Sequence, residues 1–260
     1  MNPAFLETVP ILIIFAFITI FMLAFCEVGF RFGAHARESR DKEATVSLGP
    51  MVGGLMGMLA FVLAITFSIA ASQHELRKQN VIDEANAVGT AYQRADLLAE
   101  PVASEVKKLL REYVDIRLQA ANGGDLNAIL ARSVEIHGQL WSGVSAVART
   151  APSINTSLNI QAINEVTVMH EKRLTAALHN RIPASIWLAL LTISALSMMT
   201  MGTQVGLTGK RRLVAVVPML MAFAVLVTLV ADLNRPQKGL ITVGQYAMLN
   251  LQSSMHKDIQ

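Results

Sequence analysis

The residues best equipped for chemistry fall in two short runs. In DEANAVGTAYQRADLL, Asp83, Glu84, Asn86 and Arg94 bring together two carboxylates, an amide and a guanidinium. In DLNRPQKGLITV, a carboxylate at Asp232 and a guanidinium at Arg235 are followed by Pro236 and Gly239. Such groups can lock helices together through a buried polar network. Asp83, Glu84, Asn86 and Arg94 also read as a solvated helix face. Glu84 and Asn86 adjoin apolar positions, which keeps the buried network open as a second reading. Asp232 and Arg235 can pair on a last helical turn as an interfacial anchor.

Other reactive residue types lack the spacing that chemistry needs. The six histidines, His35, His74, His137, His170, His179 and His256, form no HExxH or other close metal pattern and read as surface or helix-packing residues. Cys26 is the sole cysteine, so neither an intrachain disulfide nor a cysteine metal cluster is available. GLTGKRR lacks the spacing of a phosphate-binding loop. No nucleophile elbow or kinase set appears, and no pair of acids lies inside an apolar run. The sequence points away from an enzyme, and no catalytic residue, metal or cofactor is expected. The net charge is only +3, with no basic block to serve a nucleic acid.

The elements that carry these residues are helical and mostly apolar. Charged residues make up 16% of the chain, against about 25% in soluble domains. Four runs reach the roughly 20 apolar residues that a membrane crossing needs: Phe5–Cys26, Leu48–Ser72, Pro183–Leu207 and Leu213–Ala231. A charged loop, Glu27–Glu43, is expected after the first. The second passes without a proline or glycine break into a charged helix-forming run, so Val46–Leu98 reads as one long helix, apolar first and polar afterwards. Its apolar half has a small-residue stripe at Gly53, Gly57, Ala60, Ala64, Ser68 and Ala71. A second stripe is larger: Leu55, Leu59, Val62, Thr66 and Ile69. Small stripes let helices approach closely; in a ring of identical chains, one of the two stripes could line a pore. The polar half keeps a seam at Val81, Ala85, Val88, Tyr92 and Ala95 for packing on other helices. Pro101, the Asn122-Gly123-Gly124 run and Pro152 then divide the middle of the chain into three further helices.

The fold expected is therefore an all-α membrane protein with four transmembrane helices and a helical bundle between the second and third, the second helix continuing into that insert. The domains read as 1–72, 73–182, 183–231 and a tail from 232 to 260, whose segment Ile241–Leu251 is apolar enough to dock on a surface.

The two polar runs carry a resemblance across nearly the whole chain. DEANAVGTAYQRADLL after the second span and DLNRPQKGLITV after the fourth resemble the bacterial bestrophin-like membrane-protein family. Asp83, Glu84, Asn86, Thr90 and Arg94 match its first motif, and Asp232, Arg235, Pro236 and Gly239 its second. Gln237 stands where the family usually has a bulkier residue. The resemblance implies a multi-pass protein of a bacterial inner membrane. By relation to bestrophins, it also implies a homopentameric anion channel for ions such as chloride. Leu55, Leu59, Val62, Thr66 and Ile69 on the second helix are then the pore-lining candidates. The lipid bilayer, a second copy of the chain and inorganic ions are the partners so implied. A non-conducting sensor or scaffold has the same layout. On orientation, the basic short loops (Arg31, Arg37, Arg40, Lys42; Lys210, Arg211, Arg212) put the helical domain outside the cytoplasm, whereas the bestrophin analogy puts it inside.

Overall fold

A computed structural model describes residues 9–38, 48–178, 180–209, 213–235 and 239–258. Among these are eight helices and no strand. They are α1 (Ile11–Glu38), α2 (Gly49–Ala95), α3 (Val102–Ala121), α4 (Leu126–Thr150), α5 (Ile154–Leu178), α6 (Ala184–Thr208), α7 (Leu213–Leu233) and α8 (Tyr246–Lys257). Helices α1, α2, α6 and α7 are long and apolar enough to cross a membrane. The chain is an all-α, multi-pass membrane protein.

Contacts divide it into two units: Met1–His74 with Arg181–Thr242, and Glu75–Asn180 with Val243–Gln260. Helix α2 contributes to both. It runs unbroken because its proline, Pro50, sits in the first turn, where a missing N–H costs nothing.

In the first unit, α1 packs on α6 through glycine. A Cβ on Gly29 would lie 1.9 Å from the Met199 carbonyl oxygen, and one on Gly202 would lie 2.0 Å from that of Cys26. Gly33 and Gly206 repeat the contact one turn on, against Thr203 and Phe30. Two GxxxG pairs thus bring the backbones together, gaining van der Waals contact where lipid offers no hydrophobic drive. This corrects the expected end of the first span. Residues Glu27 to Glu38 are helix rather than charged loop, with Arg31 Nε donating to Glu27 Oε1 at 3.2 Å one turn away. The outer surface of the unit leaves Phe17, Phe61, Leu188 and Val214 exposed, as a lipid-facing surface should.

The second unit is a helical bundle. Its core holds the α2 seam (Val81, Ala85, Val88, Tyr92, Ala95) with Val106, Leu110 and Tyr113 of α3, Ile136 and Leu140 of α4, and Ile163 and Val166 of α5. Asp125 caps α4, accepting from the Asn127 N–H at 3.0 Å, a contact that stabilises a helix by about 1 kcal/mol. Helix α5 ends at Leu178, and the Arg77 guanidinium donates to the carbonyls of Ala176 and Asn180 there. The tail docks as α8, with Met248 and Met255 in the core. The span start at Phe5, the helix start at Val46, His179, Arg40, Lys42, Lys210, Arg211, Arg212, Pro236 and Gln237 lie outside the described residues.

Candidate functional site

Among the described residues the bundle holds a buried charge cluster built on Glu84. Its side chain is 0% exposed. Tyr113 of α3 donates its hydroxyl to Glu84 Oε1 at 2.5 Å. Arg117, one turn along α3, reaches the same oxygen with Nε at 3.2 Å, close enough for an ion pair but poorly aligned for a hydrogen bond. Arg173 of α5 donates Nη1 to Oε2 and Nη2 to Gln245 Oε1, the latter at 2.9 Å. A single carboxylate therefore ties α2 to α3 and α5, and through Arg173 to the segment that leads into α8.

Two histidines complete the cluster. Tyr113 has one hydroxyl hydrogen and gives it to Glu84. The His170 Nδ1, 3.0 Å from the phenol oxygen, must then be the donor to it. In the same way Thr167 donates to the Ile163 carbonyl, which leaves His137 Nδ1 to donate to Thr167 Oγ1 at 3.3 Å. The His137 and His170 rings lie 4.9 Å apart, and that of His137 meets Tyr113 edge-on at 5.0 Å.

The electrostatics follow from this geometry. Burial alone raises a carboxyl pKa, but Arg173, Arg117 and the Tyr113 hydroxyl outweigh it and hold Glu84 below its usual range. Burial, then the Glu84 charge, pushes the Tyr113 phenol well above its ordinary value. Burial, with Arg117 nearby, brings His170 down to about 4, and burial also lowers His137. At neutral pH the cluster holds one anion, two cations, a neutral phenol and two neutral imidazoles. Both Glu84 oxygens are engaged, so the arrangement suits a clamp between helices rather than a general base. Among the described residues no group of three His, Cys, Asp or Glu side chains could hold a metal ion.

The other motif residues are placed elsewhere. Asp83 is half-buried and accepts from Gln79 Nε2 at 2.9 Å, and Asn86 and Thr90 are exposed. Arg94 donates to the Leu158 carbonyl at 3.0 Å, while Asn159 returns a bond to the Arg94 carbonyl at 2.9 Å. Asp232 is 2% exposed and accepts the backbone N–H groups of Leu240 and Ile241, each at 2.9 Å. Gly239 is required there, since a Cβ on it would lie 2.4 Å from Asp232 Oδ1. Arg235 donates to the Val9 carbonyl at 2.7 Å, and Asn234 accepts from the Ile182 N–H at 2.9 Å. The second motif thus ties the end of α7 to Leu240 and Ile241 and to the starts of α1 and α6.

The two stripes of α2 face opposite ways. Leu59 and Thr66 are buried in the apolar cluster of their own chain's spans, and Leu55, Val62 and Ile69 are half-buried. The small stripe is open. Gly53, Gly57, Ala60, Ala64 and Ser68 are exposed, and nothing lies within 4 Å of a Cβ on either glycine. Continued at helical spacing past Ser72, the same face presents Glu75, Lys78, Gln79, Asn86, Thr90 and Gln93, all exposed, with the half-buried Asp83 at its edge. Of the basic residues on this part of α2, Arg77 is buried, Arg94 is bonded to Leu158, and Lys78 pairs with Glu75 at 3.5 Å.

Sequence reading singled out Glu84 but missed its partners. The available signals were Tyr113 with Arg117 one turn apart on α3, and His170 with Arg173 one turn apart on α5.

A family model described as Bestrophin-like domain matches residues 16–248. No curated protein and no solved structure matches.

Proposed function

The chain belongs to the bestrophin-like family, and from that premise we propose that it is an oligomeric ion channel of a bacterial inner membrane. Several copies, five by analogy with bestrophins, stand around an axis lined by α2. The observation that carries this reading is the open face of α2. It is small through the apolar half and polar beyond, and the described residues leave it uncovered. A side chain enclosed by its own chain cannot also border a conduit between chains. We therefore put the exposed Gly57–Ser68 face toward the axis, and leave Leu59 and Thr66 as the packing that supports it.

The resemblance implies anions. The charge on this face argues the other way, because Asp83 is the one charged group on it without a basic partner, and a ring of carboxylates attracts cations. We take the conduit to prefer cations.

Purified protein in planar bilayers, with particle symmetry recorded in detergent, tests the reading. Stepwise currents from ring-shaped particles with α2 nearest the axis are expected. Absence of current with sodium, potassium or chloride, together with a monomeric mass, would leave a non-conducting scaffold as the better account.

A further inference from the structure

A second feature, independent of the conduit, is the way the Glu84 cluster holds the tail. The start of α8 is tied to the cluster through Arg173, which donates Nη1 to Glu84 and Nη2 to Gln245, the residue before α8. Met248, three residues on, is 0% exposed in the bundle core. The far end of α8 is tied separately, by Gln252 Nε2 donating to Asp115 Oδ1 at 2.6 Å.

The charges around Arg173 do not balance. Helix α2 supplies Glu84, α3 supplies Arg117 and the Tyr113 phenol, α4 supplies His137, and α5 supplies His170 and Arg173 itself; the segment before α8 adds the uncharged Gln245. Among the described residues, Glu84 is the only carboxylate paired with either guanidinium. One anion therefore already faces two cations, and a proton on either imidazole adds a third. His137 has nothing to give that proton to, since Nδ1 already donates to Thr167 and Nε2 has neither a partner nor solvent. His170 Nδ1 donates to Tyr113, so a second proton goes to Nε2, on a ring 4.9 Å from that of His137. Like charges this close repel strongly away from water, and the cation nearest the surface is the one that can leave. Side-chain exposure is 2% for His170, 6% for Arg117 and 13% for Arg173. Departure of Arg173 also opens the face of α5 that His170 shares, one turn back. We propose that the Glu84 cluster is an acid-operated latch on the C-terminal helix: protonation of His170 or His137 expels Arg173 from Glu84, and the start of α8 is released while its far end stays docked. His170 protonates near 6.5 in water and at about 4 in the closed cluster. The closed latch thus excludes a proton that the open one takes, and it weakens as pH falls from 6.5 toward about 4. Release should be about 25-fold more favourable at pH 5 than at pH 7.5.

Peroxide oxidation of the full-length protein in detergent, read methionine by methionine with peptide mass spectrometry, tests this. A thioether has no proton to lose, so its oxidation to the sulfoxide follows exposure rather than pH. The Met248 rate should rise about 25-fold between pH 7.5 and pH 5, while Met169 and Met255 of the bundle core stay protected. His170→Gln should remove most of the rise. Arg173→Leu should leave Met248 oxidised alike at both pH values, with Met169 still protected, which separates an opened latch from an unfolded bundle. A Met248 rate that stays flat down to pH 5 overturns the proposal. So does oxidation of Met169 or Met255 in step with Met248, or a rise that survives intact in both His170→Gln and His137→Gln.

Discussion

Replacing Glu84 by Gln keeps the shape of the cluster and removes its only negative charge. Arg117 and Arg173, with side chains 6% and 13% exposed, then face each other without a counter-ion. Breaking a buried pair by removing one partner costs about 3–5 kcal/mol. The remaining amide can still accept from Tyr113 and one guanidinium, so the loss should sit near the lower end, at about 3 kcal/mol. Arg173→Met is the informative contrast. It leaves Glu84 with Arg117 as a neutral pair and should cost about 1.5–3 kcal/mol, the range for hydrogen bonds to charged groups. Because one carboxylate serves both cations, the double variant should cost less than the sum of the two, by at least about 0.5 kcal/mol. Unfolding in mixed micelles, followed by Trp141 fluorescence in a Trp187→Phe background, reports on the bundle alone, since these are the two tryptophans of the chain. If Glu84→Gln unfolds within about 1 kcal/mol of the parent, the clamp is not the fastening described.

Three further outcomes are expected. The folded pKa of His170 lies below its unfolded value, so between pH 6.5 and about 4 the unfolded chain binds protons that the native one excludes. Stability must therefore fall with pH across that window, and a melting series should lose part of the slope in His170→Gln. Gly202→Ala should destabilise the protein by about 1–3 kcal/mol through overpacking against Cys26, whereas Gly57→Ala meets nothing in its own chain; equal melting of these two variants would contradict the packing described. In asymmetric salt, the reversal potential should show cation preference, and Asp83→Lys should move the permeability ratio severalfold toward anions, given about 1 kcal/mol per contact charge in water; an unchanged potential would remove Asp83 from the conduit.

The parts of this molecule legible in its sequence are those that one segment decides alone. Apolar run length places the four spans, and the proline-free passage from Ser72 to Ala95 gives the long helix. Proline and glycine punctuation gives the bundle. The misreadings arise where a second segment decides. Glu27, Arg31 and Arg37 look like a loop until Gly29 and Gly33 are matched with Gly202 and Gly206, which make the far end of α1 a packing surface. Asp232 looks like the partner of Arg235, yet its oxygens take backbone N–H groups from a turn that only Gly239 permits. Glu84 stands out as a carboxylate beside an apolar seam. Its cations lie on helices whose relative register no local pattern encodes.

The glycines of the spans divide into two sets, and the division bears on function. Gly29, Gly33, Gly202 and Gly206 each have a backbone where a Cβ would go. Gly53, Gly54 and Gly57 have nothing there. A glycine inside a helix costs about 1 kcal/mol relative to alanine. In the first set, close helix contact repays that cost. In the second, nothing among the described residues repays it. Lipid gains nothing from a missing methyl. A neighbouring backbone gains approach, and a conduit gains width. On the channel reading both would come from further copies of the same helix, and so that reading rests on the open face of α2 rather than on the stripe that buries Leu59 and Thr66.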